Sequence, residues 1–389
     1  MITNYLNLNA IFHSTLLNPS TLLPITHKEL SSVLPPRLAD LEFSVDEIVP
    51  IPSRVLEIYR TYRPTTLFRA KKLEEAIGTT CRLYFKNEGE TPLGSHKYNS
   101  ACLIAELCKE DGIETLTTET TGNWGLALAL AGKQCGIHVI CFIDSDSHEK
   151  RPDRKTAMEK AGADVVVVQR DSHYHDLLTL SADAAISASQ KMWNARYIFG
   201  SIYNYFVTPQ TLIGLEAKDQ LAQEGEYPDI VVGSCGGGAN LLGTAGIFTK
   251  DHFINNAQIS FFSAESENCP ILSRGVPGKY SVDTLSYFPM IETLGLPNGL
   301  RSSEYIGGLG STLVAPLVAE MHRKGMLQAI TCNSTQAMNA SRLFNKTEGF
   351  GLALESSYTI AAIIGLAKAH KNLVILGNIS TYESDILRY

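Results

Sequence analysis

Residues 114–144 read ETLTTETTGNWGLALALAGKQCGIHVICFID. The piece 114–120 predicts a strand. The piece 122–136 predicts a helix that ends at Gly136, and 138–144 predicts an almost wholly apolar strand. An apolar run of that length fits a parallel sheet covered on both faces. The same alternation continues outward. Upstream, CRLYFKNE (81–88) predicts a strand and HKYNSACLIAELCKEDG (96–112) a helix closed by Gly112. Downstream, PDRKTAMEKAGA (152–163) predicts a helix and DVVVV (164–168) a strand. A second series follows. It has a helix over 208–225, a turn at Tyr227-Pro228-Asp229, and a strand over 229–235 that runs into Gly236-Gly237-Gly238. Further strands are predicted over 259–266, 327–332 and 372–379, with helices near 313–324, 334–346 and 355–369. Two such series predict an α/β protein with two open, mostly parallel-sheet lobes and a cleft between them. The first 60 or so residues, rich in Pro, Leu and Ser, predict an arm that wraps the body.

Composition narrows the function. With 389 residues, 44% hydrophobic and 19% charged, the chain is long enough for about two domains and too apolar for disorder. Its net charge of −7 gives no bulk attraction for nucleic acid or anionic lipid, so neither is an expected partner. No apolar run reaches the ~18 to 20 residues that span a bilayer. The N-terminus has no cationic segment ahead of an apolar one, so no secretory signal is read there. Eight cysteines without a C-x-x-C pair predict free, buried thiols in a reducing cytoplasm.

Ligands of open α/β sheets bind at the carboxyl ends of strands, and four loops there are chemically loaded. The first is Gly94 to Asn99. The helix dipole disfavours a cation at Lys97, and a lysine made neutral as an imine carries less of that penalty. On its own the position reads first as a solvated surface lysine. The second is Ser234 to Asn240. Three successive glycines ahead of a helix let backbone N–H groups converge on a phosphate, a reading favoured over its alternative, a flexible turn. It is not a nucleotide-triphosphate loop, and Gly236, Gly238 and Leu241 fit G-x-G-x-x-G only in part. The third is Glu119-Thr120-Thr121-Gly122-Asn123-Trp124-Gly125. Its hydroxyls, N–H groups and amide suit a carboxylate, or equally form a helix cap. The fourth is Gly377-Asn378-Ile379-Ser380, where Ser380 is either a neutral ligand partner or part of a capped chain end.

Longer runs surround these loops. They include Tyr62-Arg63-Pro64-Thr65-Thr66-Leu67-Phe68, Tyr84-Phe85-Lys86-Asn87-Glu88, and Arg151-Pro152 with Thr156 to Ala163. Gly214-Leu215-Glu216-Ala217-Lys218, Glu226-Tyr227-Pro228-Asp229, Thr347-Glu348-Gly349 and Ala353-Leu354-Glu355-Ser356 complete them. Together, in this order, they resemble pyridoxal-phosphate enzymes of fold type II. Within that group they resemble the tryptophan synthase β-subunit, in its second, stand-alone-type subfamily. The resemblance covers most of the chain. It implies an N-terminal arm over 1–62 and a smaller, mobile lobe over 96–207 with the substrate-carboxylate loop. A larger lobe over 63–95 plus 208–389 would hold the phosphate loop.

The resemblance further implies that Lys97 holds pyridoxal 5'-phosphate as an imine and shuttles the Cα proton. His96 and the run Gly236, Gly237, Gly238, Ala239 and Asn240 would hold the phosphate. Ser380 would face the pyridine nitrogen, and Glu355 and Asn123 would lie at the cofactor. Thr120, Thr121, Gly122 and Asn123 would grip the substrate carboxylate. Glu119 would handle the protons of the leaving hydroxyl and of the incoming nucleophile. A homodimer without the usual α-subunit is implied, and a monovalent cation whose ligands the sequence does not place.

Four departures touch the site. The loop after Glu119 is Thr120-Thr121-Gly122-Asn123, closer to that of cysteine synthases and threonine dehydratases. Ala239 stands for the usual serine of the phosphate loop. Gly310-Ser311-Thr312-Leu313 follows Gly307-Gly308-Leu309 in place of Arg-Tyr-His-Gly. Thr381-Tyr382-Glu383 replaces the Gly-x-Gly after the terminal serine. The expected activity is therefore a lyase-class β-replacement on serine, phosphoserine or an O-acyl serine through an aminoacrylate. Indole or another heteroaromatic or amine is the expected acceptor. A serine/threonine dehydratase-type elimination, or an inactive homologue serving as a binding subunit, are the rival readings.

Overall fold

The structure is a computed structural model and describes residues 1–174, 176–297, 299 and 306–381. Tyr382 and Glu383, noted above, lie outside the described residues. The chain is α/β with open, parallel sheets, as its strand–helix alternation predicts. The larger sheet has six strands in the order Leu327–Cys332, Ser260–Ser266, Ile230–Ser234, Val374–Ile379, Arg82–Asn87, Leu67–Arg69. All neighbours are parallel except the edge pair Leu67–Arg69 and Arg82–Asn87. Its central strands, IVVGS and VILGNI, are buried at every residue because helices cover both faces. Pairing Val232 with Gly377 brings the two strand ends together, so the glycine run and Ser380 emerge side by side.

The smaller sheet has four parallel strands in the order Asp164–Val168, His138–Asp144, Thr115–Glu119, Ala195–Tyr197. Its helices include Asn123–Cys135, which ends at Gly136 in the left-handed region, where glycine meets no side-chain penalty. A small antiparallel sheet of Val276–Tyr280, Met290–Gly295 and Leu16–Leu17 sits outside the expected pattern and ties the N-terminal segment to the body. The first 60 residues bury Tyr5, Leu30, Leu34, Leu38 and Val55 completely, so they belong to the core.

The helix predicted over 208–225 is in fact two, Asn204–Gln210 and Leu212–Gln223, broken at Thr211. Pro209 has no N–H to give, and the Thr211 hydroxyl turns back to the Thr208 carbonyl at 2.6 Å. The break leaves Gln210 beside His96 (Nδ1 to Oε1, 2.8 Å). The sequence reading assigns nothing to the helix Leu177–Ser189, whose LLTLSADAAISAS run has only weak helical periodicity and scattered turn-favouring Ser and Asp residues.

A buried charge network steadies the start of the Lys97 helix, Lys97–Glu110. Arg63 donates to both oxygens of Glu88 at 3.0 Å and to Glu216 at 2.9 and 3.0 Å. Lys86 donates to Glu216 at 2.7 Å. The Asn99 amide closes the ring, donating to Glu88 at 2.8 Å and accepting from Arg63 at 3.0 Å. Two cations and two carboxylates balance there. Such pairing is what lets charges be buried at all.

Candidate active site

Lys97 is the first residue of its helix and is half-buried. Burial lowers its pKa, as does the nearby Arg154 cation, while Glu355 and Glu119 oppose the shift. A lysine held this way gives up its proton more readily than one in water.

His96 precedes it. Gln210 donates through Nε2 to the His96 carbonyl at 3.1 Å and to Ser100 Oγ at 2.5 Å. Its Oε1 is thereby left to accept from His96 Nδ1–H. Burial, and then the charge of Lys97, push the imidazole pKa down to about 4, so the ring is neutral at pH 7 with its proton on Nδ1.

The glycine run lies opposite. Among the described residues, no protein acceptor takes the backbone N–H groups of Gly236, Gly237, Gly238, Ala239 and Asn240. They point from a strand end into the start of the helix Ala239–Asn255, and Asn240 Oδ1 is also buried without a partner. Five N–H groups left open at a helix N-terminus make an anion cradle. The cradle is tight. A Cβ on Gly236 would sit 2.1 Å from the Gly308 carbonyl, and one on Gly237 2.0 Å from Ser201 Oγ. Gly238 has φ +102.

Two further groups close this cavity. Glu355 Oε1 accepts from the Gly308 N–H. Ser380 is fixed by its backbone, its N–H donating to Ser356 Oγ at 2.8 Å and its carbonyl accepting from the Ala353 N–H at 2.8 Å. Its own hydroxyl is buried and unpartnered. One cavity is thus lined by His96, Lys97, Gly236 to Asn240, Glu355 and Ser380, with Ser201, Phe206, Gly308 and Ser356. A wider cavity of about 770 Å³ lies by Phe12, Leu272 and Leu317 and holds none of these residues. Open N–H donors, an unpartnered hydroxyl and a lysine of lowered pKa fit pyridoxal 5'-phosphate.

The loop 119–123 stands outside the wall of that cavity. Glu119 is buried and its Oε2 accepts from Tyr197 O–H at 2.6 Å. Burial pushes its pKa up to about 8, against the Tyr197 hydrogen bond and the positive charge of Lys97. The Thr120 oxygen accepts from the N–H groups of Gly122 and Gly125, both at 2.9 Å, so it caps the helix. Thr121 is half-buried and its carbonyl accepts from Arg154 at 2.7 Å. Gly122 has φ +132 with the Arg154 side chain packed on it, and Asn123 Nδ2 is buried without a partner. Ser201, Gln210, Arg154 and Tyr197 were missed from sequence. Each meets the site through a partner distant in the chain, which no local pattern announces. Among the described residues no group of three or more His, Cys, Asp or Glu side chains could hold a metal ion.

Comparison with known proteins places this geometry. The family described as "Pyridoxal-phosphate dependent enzyme" matches residues 58–376. The chain is 36% identical over 370 residues to the tryptophan synthase beta chain of Pseudothermotoga lettingae, covering 91% of this chain and 87% of that one. It is 36% identical over 387 residues to that of Thermococcus gammatolerans, covering 94% and 87%. It is 35% identical over 370 residues to tryptophan synthase beta chain 2 of Thermotoga maritima, covering 91% and 87%. The cradle, the lysine and the match over most of the chain agree with the resemblance read from sequence. The chain belongs to the pyridoxal-phosphate-dependent enzymes, in the tryptophan synthase β-chain family, and is a lyase-class enzyme with pyridoxal 5'-phosphate as its cofactor.

Proposed function

We propose that this enzyme replaces the β-substituent of serine, or of an O-activated serine, with a nucleophile that must lose a proton, such as indole or another heteroaromatic or amine. One observation carries the reading. A lysine whose proton is loosely held and a buried carboxyl whose proton is tightly held lie close enough for each charge to act on the other. Opposed shifts of this kind separate a base from an acid. Bound pyridoxal phosphate supplies an electron sink for the bond broken at Cα. The chain supplies the rest. Lys97 takes the Cα proton and returns it. The N–H groups of Gly236 to Asn240 hold the phosphate, with His96, which takes a proton at Nε2 as the anion binds and donates it. Ser380 offers a neutral partner to the ring nitrogen, with Glu355 on the same cavity wall, and Asn123 meets the cofactor from the loop after Glu119. The Thr120 hydroxyl proton, Thr121, Gly122 and the Asn123 amide grip the substrate carboxylate. Glu119 gives a proton to the leaving hydroxyl and takes one from the incoming nucleophile.

The same reading divides the chain into an arm (1–62), a smaller mobile lobe (96–207) and a larger lobe (63–95 plus 208–389). The two parallel sheets fall within those bounds. It also includes a cytoplasmic homodimer working without the usual α-subunit. Eight buried, unpaired cysteines favour a reducing compartment. An eliminating, dehydratase-type reaction is the second reading, favoured by the Thr120-Thr121-Gly122-Asn123 loop. In heavy water, serine recovered from the holoenzyme should carry deuterium at Cα. Glu119→Gln should keep that exchange but slow replacement about 10²- to 10⁴-fold. Exchange that survives Lys97→Ala would overturn the assignment of the base.

A further inference from the structure

Tyr197 ends an edge strand and is fully buried, with its O–H donated to Glu119 Oε2 at 2.6 Å. Its ring is clamped. Phe288 packs edge-on against it at 5.3 Å and 89°, and Phe288 packs also on Tyr203 at 5.0 Å. Asp283 accepts the Phe288 N–H at 2.9 Å, and Asp183 on the neighbouring helix accepts the Thr284 N–H at 2.9 Å. The groups whose charge acts on Glu119, or feels it, are Lys97, Tyr197, Tyr203, Tyr205 and Cys141. Two of the three phenols point elsewhere, Tyr203 to the Pro289 carbonyl at 2.9 Å and Tyr205 to the Phe199 carbonyl at 2.8 Å. Glu119 Oε1 receives no side-chain hydrogen bond among the described residues.

We propose that Tyr197 is a positioning residue for proton transfer at Glu119: its phenol holds Oε2, which fixes the carboxyl plane and leaves Oε1 to exchange the proton of the acceptor. The proposal rests on the β-replacement reading and on Glu119 as its proton carrier. A phenol that donates to a carboxylate favours the ionised form and so works against burial. Taking the proton of an incoming N–H requires that ionised form. Loss of the phenol therefore shifts the onset of the acceptor step to higher pH.

The test compares pH profiles of two rates in the holoenzyme, formation of the new amino acid from serine and indole, and pyruvate release from serine alone. In Tyr197→Phe the acid limb of the first should move up by about one pH unit or more, a size set by one charge-assisted hydrogen bond. Its rate at neutral pH should fall about 10-fold. A merely structural role would change melting and both rates together and leave the limb in place. Tyr197→3,5-difluorotyrosine keeps the shape and strengthens the donor, so its limb should move down. That variant decides the matter should Tyr197→Phe fail to fold. Limbs at the parent's pH in both variants would overturn the proposal while the reading stands, provided Glu119→Gln abolishes the limb. A parent-like limb in Glu119→Gln would remove Glu119 as the proton carrier, and Tyr197 with it.

Discussion

Gly236→Ala tests the cradle where it abuts backbone. A Cβ there would lie 2.1 Å from the Gly308 carbonyl oxygen and 3.2 Å from Gly308 C and Leu309 Cα. Ordinary contact needs 3.4 Å or more, so this wall must retreat by more than an ångström, and it is backbone, which cannot rotate aside. The wall that moves is the turn Gly307–Leu309, whose Gly308 N–H is bonded to Glu355. Overpacking of this kind costs about 1–3 kcal/mol. One misdirected charge-assisted hydrogen bond to phosphate costs about 1.5–3 kcal/mol, or roughly 10- to 100-fold in affinity. Titration of the apoprotein with pyridoxal phosphate, followed by absorbance, should show that loss. Gly365→Ala is the control, since a Cβ there meets nothing within 4 Å and lies on an exposed helix face. It should bind the cofactor like the parent and melt no lower. Parent-like affinity in Gly236→Ala would refute the cradle.

Three further outcomes follow from the same geometry. Ser201 Oγ lies against Gly237 and lines the cavity, so it is placed to offer a hydroxyl where Ala239 has none. Ser201→Ala should weaken pyridoxal-phosphate binding about 5- to 20-fold, and adding Ala239→Ser should recover most of it. Arg63→Leu strips two buried carboxylates of their main partner and should destabilise the fold by about 3–5 kcal/mol, read from thermal melting. The apoprotein should lose stability relative to Glu119→Gln as pH rises from about 4.5 to about 8. In that window the unfolded carboxyl is ionised and the folded one is protonated, so folding takes up a proton. The difference should level off above it, as melts across pH would show.

Much of the scaffold was legible because its signals are local. The run 114–144 carries a strand, a helix, a left-handed glycine and an apolar strand within 31 residues, and each formed close to its predicted bounds. Loops at strand ends were legible as candidates: Gly236 to Gly238 stand out by type and position, whereas Lys97 alone reads as a surface lysine and gains meaning only from the motifs around it, before the fold shows it half-buried. What stayed hidden depends on approach across the chain. Arg63, Lys86, Glu88 and Glu216 stand in quoted motifs, yet only the fold shows that they neutralise one another. Gln210 sets the His96 tautomer from 114 residues away, and Tyr197 reaches Glu119 across 78. Thr120 was legible both as a carboxylate ligand and as a cap, and its oxygen serves the cap.

The central claim is tested most directly by the partition of products. Holoenzyme supplied with L-serine or O-phosphoserine, with and without indole, is assayed for pyruvate and for a new amino acid by mass. The account predicts that indole diverts the flux from pyruvate to a β-indolyl amino acid. It also predicts that Glu119→Gln loses this diversion while elimination continues from O-phosphoserine, whose leaving group depends less on a donated proton than the hydroxyl of serine. Pyruvate and ammonia alone from every donor, with indole and with a panel of other amines and heteroaromatics, would contradict it.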